Sequence, residues 1–296
     1  MSSASPARGR AGFTLIEVLV ALVLAVMLGG VIMQVVQGES RFVTVQSARE
    51  EVQQNSRGAL EILGSELRSA QPSGLVRADT NSVSFLLPRV WGVSCGGGSA
   101  TALPVIFPAA GGVAFDLNSG SGLLADTSSA GAPSWVPSPN PVLANRATVT
   151  SLTALNPALG TAGNACEGIR SLADPNGLLQ AYTVGGANLP ITPAGNTVYL
   201  YQGVSYSVAQ IGTEWWIYRT LGTGTAQPLA GPLDGANGLA LTYYDQNGNR
   251  IAQPITALAT LKTVARIGIT VSTRSRVKGN ANLTDKQATS ITLRNQ

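Results

Sequence analysis

The sequence predicts an α+β protein in which one long N-terminal α-helix packs on an antiparallel β-sheet head. Three observations predict this fold class. An apolar run from Phe13 to Val36 is long enough to cross a membrane. An amphipathic pattern then continues without a proline as far as Gln71. Beyond that point Gly, Ser, Thr and Asn separate short strand-like segments, and only 11% of the residues are charged, which is typical of a turn-rich β domain.

The first element, residues 13–36, is predicted to be a transmembrane helix that stays attached to the protein. Arg8 and Arg10 precede it, and basic residues in that position favour the cytoplasmic side, so we expect the head outside the cytoplasm. Residues 33–39 offer no small-residue site of the A-x-A type, which argues against a cleaved secretory signal. A single acid, Glu17, interrupts the apolar run, and a charge at membrane depth is costly unless it has a partner. A plain membrane anchor leaves this acid unexplained.

The residues around this acid resemble a known export signal. The string GFTLIEVLVA, which begins at Gly12, is similar to the class III signal of type IV prepilins and of type II secretion pseudopilins. The resemblance implies that a membrane-bound prepilin peptidase cuts between Gly12 and Phe13, so that residues 1–12 are a leader, and that the new amine of Phe13 is methylated. It also implies an assembly role for Glu17, whose carboxylate would pair with the amine of its own Phe13 or with that of a neighbouring subunit in a filament.

The helix is predicted to continue as an amphipathic half over residues 37–71. Its apolar residues recur at helical spacing, and we expect the part from Leu60 to Leu67 to pack on the head. Gly29 and Gly30 lie in the preceding apolar half, where each lowers helix propensity by about 1 kcal/mol relative to Ala. Two interpretations are open for this pair. The glycines allow close packing of neighbouring transmembrane helices, or, as the pilin resemblance favours, they let the helix loosen when a subunit leaves the bilayer.

The head, residues 72–296, is predicted to be an antiparallel sheet. Turn signals at residues 212–213 and at Asn247-Gly248 indicate hairpins. Residues 90–195 have little apolar periodicity and are predicted to be a long, loop-rich insertion. The strand-like segments are residues 82–87, 197–209, 214–221, 239–245, 264–273 and 290–294.

Two cysteines, Cys95 and Cys166, lie within this insertion. Outside the cytoplasm they favour a disulfide, which would close a loop of 166 − 95 = 71 residues. The chain-entropy model gives such a crosslink roughly 4 kcal/mol of stabilisation. Two free thiols are the alternative, and neither cysteine has a candidate catalytic partner.

The order of strands carries a second, narrower resemblance. The segments are similar to those of PilW-like minor pilins and of the related J-type minor pseudopilin of type II secretion, over most of the chain except about residues 90–195. The resemblance implies a type IV pilin-like fold and a minor pilin, a structural subunit that helps to initiate, assemble or cap a type IV pilus. The segments that carry it are Tyr206–Val208, Ile217–Arg219, Pro228–Leu229, Leu239–Tyr244 and Arg266–Ser272, together with Leu67–Ala70 at the helix end.

Partners and alternatives follow from these resemblances. Expected partners are the prepilin peptidase, other major and minor pilins in a filament, an inner-membrane assembly platform, and the inner membrane itself through residues 13–36. One alternative is a minor pseudopilin of a type II secretion system, and another is an adhesive or DNA-capturing module at a pilus tip. Bases near the C-terminus indicate nucleic acid only weakly, because Lys and Arg also guard exposed strand edges. These bases are Arg266, Arg274, Arg276, Lys278 and Lys286.

The composition argues against an enzyme. The sequence contains no histidine, which excludes His-based triads, His general bases and most zinc sites. No pair of acids, nucleophile with its base, phosphate-binding loop or set of metal ligands emerges from the spacing of the remaining residues. We therefore predict no catalytic residue, no metal site and no cofactor.

Overall fold

A computed structural model describes residues 14–70, 74–108, 121–125, 148–154, 166, 168, 179–187, 189, 193–276 and 283–293. The predicted fold class is confirmed, because a long apolar helix is followed by a large antiparallel β-sheet. The helices are α1 (Leu15–Ser69) and the short α2 (Leu258–Leu261). Gly12, Phe13 and Lys278 lie outside the described residues.

Strands make up most of the described head. In chain order they are β1 (Leu75–Ala78), β2 (Ser82–Ser94), β3 (Ala102–Pro108), β4 (Ser121–Ala125), β5 (Thr148–Ala154), β6 (Leu179–Ala187), β7 (Thr197–Ile211), β8 (Glu214–Leu221), β9 (Gln227–Leu233), β10 (Leu239–Tyr244), β11 (Arg250–Ile251), β12 (Arg266–Arg274) and β13 (Thr284–Thr292).

Helix α1 divides into an exposed half and a half that packs on the sheet. From Thr14 to Thr44 every residue is exposed, and Ala48 is the first buried one. From there buried residues recur with helical spacing along one face, because that face packs on the sheet. The buried residues of α1 are Ala48, Val52, Ser56, Ala59, Leu63, Gly64 and Leu67.

The centre of the head is a ribbon formed by the two longest strands, β2 and β7. They pair antiparallel from Ser82 and Ser207 at one end to Val93 and Thr197 at the other, with a bulge between Pro88 and Val90. The half of the ribbon nearer α1 is flanked by β1 and β8, and the other half is flanked by β3 and β4. The ribbon therefore contributes side chains to two separate hydrophobic cores.

The main core lies between α1 and the sheet around it. Side chains from α1 meet the inner faces of the ribbon and of β8, β9, β10, β12 and β13, and α2 adds Leu261. Helix and sheet both present continuous apolar faces, so each covers the other. The largest fully buried side chains of this core are Phe85, Tyr206, Tyr243, Leu63, Leu67 and Leu75.

The second core fills a small β-barrel. Strands β2, β3, β6, β5, β4 and β7 pair in that order, and the pairing of β2 with β7 closes the ring. Gly92 is required at the wall, because a Cβ there would meet the carbonyl oxygen of Ile106 and the ring of Phe107. The interior residues are Val90, Leu103, Val105, Phe107, Val149, Tyr182, Val184, Leu189, Val198 and Leu200.

Between the two cores, the Arg89 guanidinium donates to the side-chain oxygen of buried Gln202 at 2.9 Å.

The barrel projects beyond the end of α1. Strand β8 runs in the same direction as α1, since the amide of Asn55 reaches Gly231 beside the start of β8 whereas Glu66 contacts Arg219 near its end. Strand β7 runs the opposite way and has Tyr206 against Glu66, so its first residues lie about 30 Å further along at the usual rise of a strand. Helix α1 continues for only about 5 Å beyond Glu66.

The strands of the barrel are the main feature that the sequence prediction missed. Residues 90–195 contain β3, β4, β5, β6 and the end of β2, where a loop-rich insertion is predicted. Gly, Ser, Ala and Thr make up much of β4, β5 and β6, so the alternating apolar signal of these strands is weak. Strand β3 is strongly apolar, and the prediction missed it. Strand β13 also begins earlier than predicted. Its first residues, Thr284 to Thr289, are polar apart from Ala288, so they give no alternating apolar pattern.

Candidate functional site

The apolar half of α1 is the first candidate functional surface. Its most apolar stretch is long enough to cross a membrane, and none of that stretch is buried against the head. Such an apolar surface must be covered by lipid or by other helices. Phe42 and Val43 extend it past the predicted membrane half, since both side chains are more than half exposed.

Glu17 lies in the first turn of this surface. It forms a capping box with Thr14, whose hydroxyl oxygen accepts a hydrogen bond from the Glu17 backbone N–H at 3.4 Å. The carboxylate of Glu17 lies 3.5 Å from both the backbone nitrogen and the hydroxyl of Thr14, which is the long limit for a hydrogen bond. Within the described residues the carboxylate therefore has only weak partners, and it is exposed on the apolar helix.

Gly29 and Gly30 lie midway along the exposed apolar half. The helix is continuous through both, and a Cβ at either position would meet nothing within 4 Å. Their flat surface therefore faces outward, where another helix can approach closely. Loosening of the helix at this pair stays a prediction.

The N-terminal segment matches a known family model over residues 7–33, described as the prokaryotic N-terminal methylation motif. This chain carries a prepilin-type methylation motif. No curated protein and no solved structure matches the chain. The methylation motif supports a pilin or pseudopilin subunit, a structural component rather than an enzyme. It implies processing by prepilin peptidase and assembly with other pilins, and with α1 it fits anchoring in the inner membrane with the head on the far side.

A half-buried ion pair ties α1 to the head. The guanidinium of Arg219 on β8 donates two hydrogen bonds to the Glu66 carboxylate, one of them from Nε at 3.1 Å, and the hydroxyl of Tyr206 donates a third at 2.5 Å. The Glu66 hydrogen bond raises the pKa of Arg219, and burial, followed by the Glu66 carboxylate, raises the pKa of Tyr206. Three hydrogen bonds therefore converge on one carboxylate and join α1 to β7 and β8.

Sequence reasoning missed this group, although a signal was present. Glu66 stands between Leu63 and Leu67, two residues of the stripe that packs on the head, and an acid beside a buried stripe needs a partner. The sequence alone did not identify Arg219, because 153 residues separate the pair.

We expect Glu66→Ala to destabilise the docking of α1 on the head by about 3 kcal/mol, the low end of the ~3–5 kcal/mol observed when one partner of a buried ion pair is removed. The cost arises because Arg219 and Tyr206 keep their buried polar groups but lose the carboxylate. Hydrogen exchange of the amides of residues 59–67 in nanodiscs would measure it. Arg77→Ala is the matched control, since it removes only the exposed pair with Asp79, with an expected cost below about 1 kcal/mol. Equal effects of the two variants would contradict this prediction.

Three further polar contacts hold the membrane-proximal part of the head to α1. Ser56 donates to the Asp285 carboxylate at 2.6 Å, and the hydroxyl of buried Thr273 donates to the Val52 carbonyl at 2.9 Å. The Asn55 amide donates to the Gly231 carbonyl at 3.2 Å. The head is therefore fixed to the helix at both ends of their contact, and a force on one is transmitted to the other.

Cys95 and Cys166 form a disulfide outside the barrel wall. Their Cα atoms are 4.9 Å apart, and the pair packs with Ile106 and Ala181 on the outer faces of β3 and β6. The disulfide therefore joins the end of β2 to the segment between β5 and β6.

The predicted basic cluster is spread along β12 rather than gathered. Arg266 stacks over the Tyr244 ring at 4.3 Å at one end of the strand, whereas Arg274 bonds the Thr213 carbonyl at the other. Arg276 pairs with Glu214 at 3.1 Å and lies over the Trp216 ring. Lys286 lies on β13.

Proposed function

We propose that this protein is a minor pilin that acts at the end of a type IV pilus, helping to initiate or cap the filament. The observation that carries the proposal is the methylation motif at the start of a helix whose first half is wholly exposed. After the predicted cut, the amine of Phe13 and the carboxylate of Glu17 would both lie at membrane depth, where pairing relieves the cost of each. On assembly, the helices of neighbouring subunits would replace lipid and cover the apolar surface of α1.

The barrel supports a terminal position. It extends roughly 20 Å or more past the end of α1 in the direction away from the membrane, by the estimated rises of strand and helix. In a filament whose helices run side by side, this direction leads toward the next subunit above. Within a filament the barrel would occupy the space that the head of the next subunit needs. In the last subunit no further head is stacked above, so the barrel can be accommodated.

Processing is the first test of the proposal. We expect the protein recovered from membranes to begin at Phe13 and to carry one added methyl group when the prepilin peptidase is present. Intact mass and N-terminal sequencing measure both features. A strain without the peptidase is the control and should retain Gly12 and the leader. A chain that begins at Met1 or Ser2 with the peptidase present would contradict the proposal and indicate a plain anchor.

The filament distinguishes a pilus from a secretion machine. If this protein is a minor pilin, its deletion should reduce the number of surface pili while the pool of major pilin in the membrane persists. The protein should also copurify with pili in small amounts. Loss of exported hydrolases with unchanged pili would instead identify a type II pseudopilin, which carries the same motif. Electron micrographs of pili with a labelled head should show the label at filament ends. Labelling along the whole length would contradict the terminal position.

A further inference from the structure

The barrel is joined to the rest of the head by the ribbon of β2 and β7. The chain crosses into the barrel at Arg89 and returns from it at Gln202. Among the described strands, β3, β4, β5 and β6 pair only with one another and with the ribbon. We call the remainder the body, which is α1 from Ala48 onward together with the strands around the main core. The barrel is therefore an inserted unit held to the body at one narrow junction.

The ribbon has little lateral support at this junction. On the edge of β2 that faces away from β7, β1 pairs as far as Phe85 and β3 pairs only from Val93. The structure describes no strand beside that edge between these two residues. On the outer edge of β7, β8 ends opposite Val204 and β4 begins opposite Gln202. A two-stranded ribbon twists more than a wide sheet, so this stretch is the part of the head that deforms most easily.

A β-bulge lies in the middle of this stretch. Pro88 is opposite Tyr201 and Val90 is opposite Leu200, so Arg89 is an extra residue without a partner in the ladder. A bulge bends its strand and interrupts the ladder locally. Hinges between domains are a few residues that absorb changes in the backbone dihedral angles, and a residue outside the ladder is free to do so.

Polar side chains occupy the inner face of the ribbon at the same level. Along β7, Val204 belongs to the main core and Leu200 to the barrel core, and buried Gln202 lies between them. The Nε of Arg89 donates across the ribbon to the side-chain oxygen of Gln202 at 2.9 Å. The two apolar cores are thus separated by a polar layer. Units of one chain are expected to move relative to each other unless a large apolar interface joins them.

Each of the two units has internal links that do not cross the junction. The disulfide of Cys95 and Cys166 lies on the barrel side and joins two parts of the barrel. On the other side, the Glu66 carboxylate accepts from Arg219 and so fixes α1 to the sheet of the body. A movement at the junction therefore leaves the distances within each unit unchanged.

We propose that residues 86–92 of β2 and 202–203 of β7 form a hinge on which the barrel turns as a rigid unit relative to the body. The hydrogen bond between Arg89 and Gln202 is the latch that holds the barrel in the orientation of the structure. Because the body is fixed to α1, a turn of the barrel changes the direction in which the subunit presents its distal surface without disturbing the helix. This inference concerns the head, holds for a pilin and a pseudopilin alike, and is independent of the processing test.

Double electron–electron resonance of the full chain in nanodiscs measures this movement. One spin label is attached to the barrel through Thr153→Cys and another to the body through Ala240→Cys, both at exposed positions. The natural disulfide is kept oxidised, so only the introduced cysteines react. We expect one narrow distribution of barrel–body distances in the chain that retains Arg89. Arg89→Ala removes the latch and should widen this distribution at least about twofold.

Two measurements distinguish turning from unfolding. A label pair within the body, Ala240→Cys with Gln54→Cys on α1, should give the same distance distribution with and without Arg89→Ala. The amides of Leu103 and Val184, on paired strands of the barrel, should exchange as slowly in Arg89→Ala as in the natural chain. A wider barrel–body distribution with both of these unchanged would be a rigid-body turn.

Gln202→Leu combined with Arg89→Ala is the decisive variant. It places an apolar side chain between Leu200 and Val204, so the two cores become continuous along β7. The narrow distribution should therefore return although the hydrogen bond is absent. Arg77→Ala is the matched control, because it removes an exposed arginine of the body and should leave the distribution narrow.

Four results would overturn the proposal. The first is an equally narrow barrel–body distribution with and without Arg89→Ala, which would show a rigid joint. The second is an equally wide distribution in both, which would show that the hydrogen bond is not a latch. The third is a wider distribution within the body or faster exchange in the barrel, which would show unfolding. The fourth is a double variant with a distribution as wide as that of Arg89→Ala, since the polar layer would then have no part in the movement.

Discussion

Removal of the disulfide by the double substitution Cys95→Ser and Cys166→Ser is expected to unfold the barrel at a much lower denaturant concentration and to leave the main core in place. The crosslink spans 71 residues that include β3, β4 and β5. By the chain-entropy model its loss costs roughly 4 kcal/mol. This is a large fraction of the ~5–15 kcal/mol that stabilises a typical domain.

The effect should be confined to the barrel because the two cores are separate. Among the described residues, the barrel interior contains none from α1, and the polar pair of Arg89 and Gln202 lies between the cores on the shared ribbon. Ser replaces each sulfur with a group of similar size, so the packing against Ile106 changes little. The loss of stability should therefore arise from the freed loop.

Hydrogen exchange of the chain in nanodiscs separates the two cores. Amides of Leu103, Val184 and Val198 report on the barrel, and those of Ile269 and Val271 report on the main core. We expect faster exchange in the first set only, and reduction of the natural chain should reproduce the result. Equal acceleration in both sets would show that the head unfolds as one unit, contrary to the separation argued from the cores.

Most strands of the main sheet could be predicted from the sequence, whereas most strands of the barrel could not. Strand β8 can be recognised by its bulky residues between turn signals. Its predicted limits, Glu214 to Leu221, are those observed. The helix α1 is likewise within two residues of its predicted ends, because Thr14 caps it and Pro72 follows it. Local propensity is sufficient where one face of an element is strongly apolar.

Contacts distant in sequence could not be predicted. The barrel depends on ring closure between β2 and β7, and no local pattern indicates closure. The pairing of Glu66 with Arg219 is also a consequence of topology. The assembly residues are the opposite case. Glu17 stands out in the sequence because its apolar surroundings are local, and within the described residues the structure adds only that its carboxylate is weakly held.

Glu17→Gln is expected to be inserted in the membrane and processed as usual, and to enter filaments at one-tenth or less of the natural level. The prepilin resemblance implies that the Glu17 carboxylate pairs with a Phe13 amine, its own or that of a neighbouring subunit, and pairing with the neighbour is the one that would act in assembly. Glutamine keeps the shape and hydrogen-bonding ability of the side chain but has no charge, so the amine would remain unpaired at membrane depth. An uncompensated charge there costs a few kcal/mol, and about 1.4 kcal/mol already corresponds to a tenfold change in an equilibrium.

This choice of substitution separates two roles of Glu17. A capping box accepts Gln as well as Glu at this position, so a purely structural role in starting α1 would survive the change. Thr14→Ala removes the cap but not the charge, and we expect it to assemble nearly as the natural chain does. Glu39→Gln is a further control, because Glu39 is exposed on α1 beyond the predicted membrane half.

Quantification of each variant in sheared pili and in the membrane pool gives the ratio that matters. A low ratio for Glu17→Gln, with near-natural ratios for Thr14→Ala and Glu39→Gln, would assign the effect to charge. Natural assembly of Glu17→Gln together with failure of Thr14→Ala would reverse the assignment, since the acid would then act only by starting the helix.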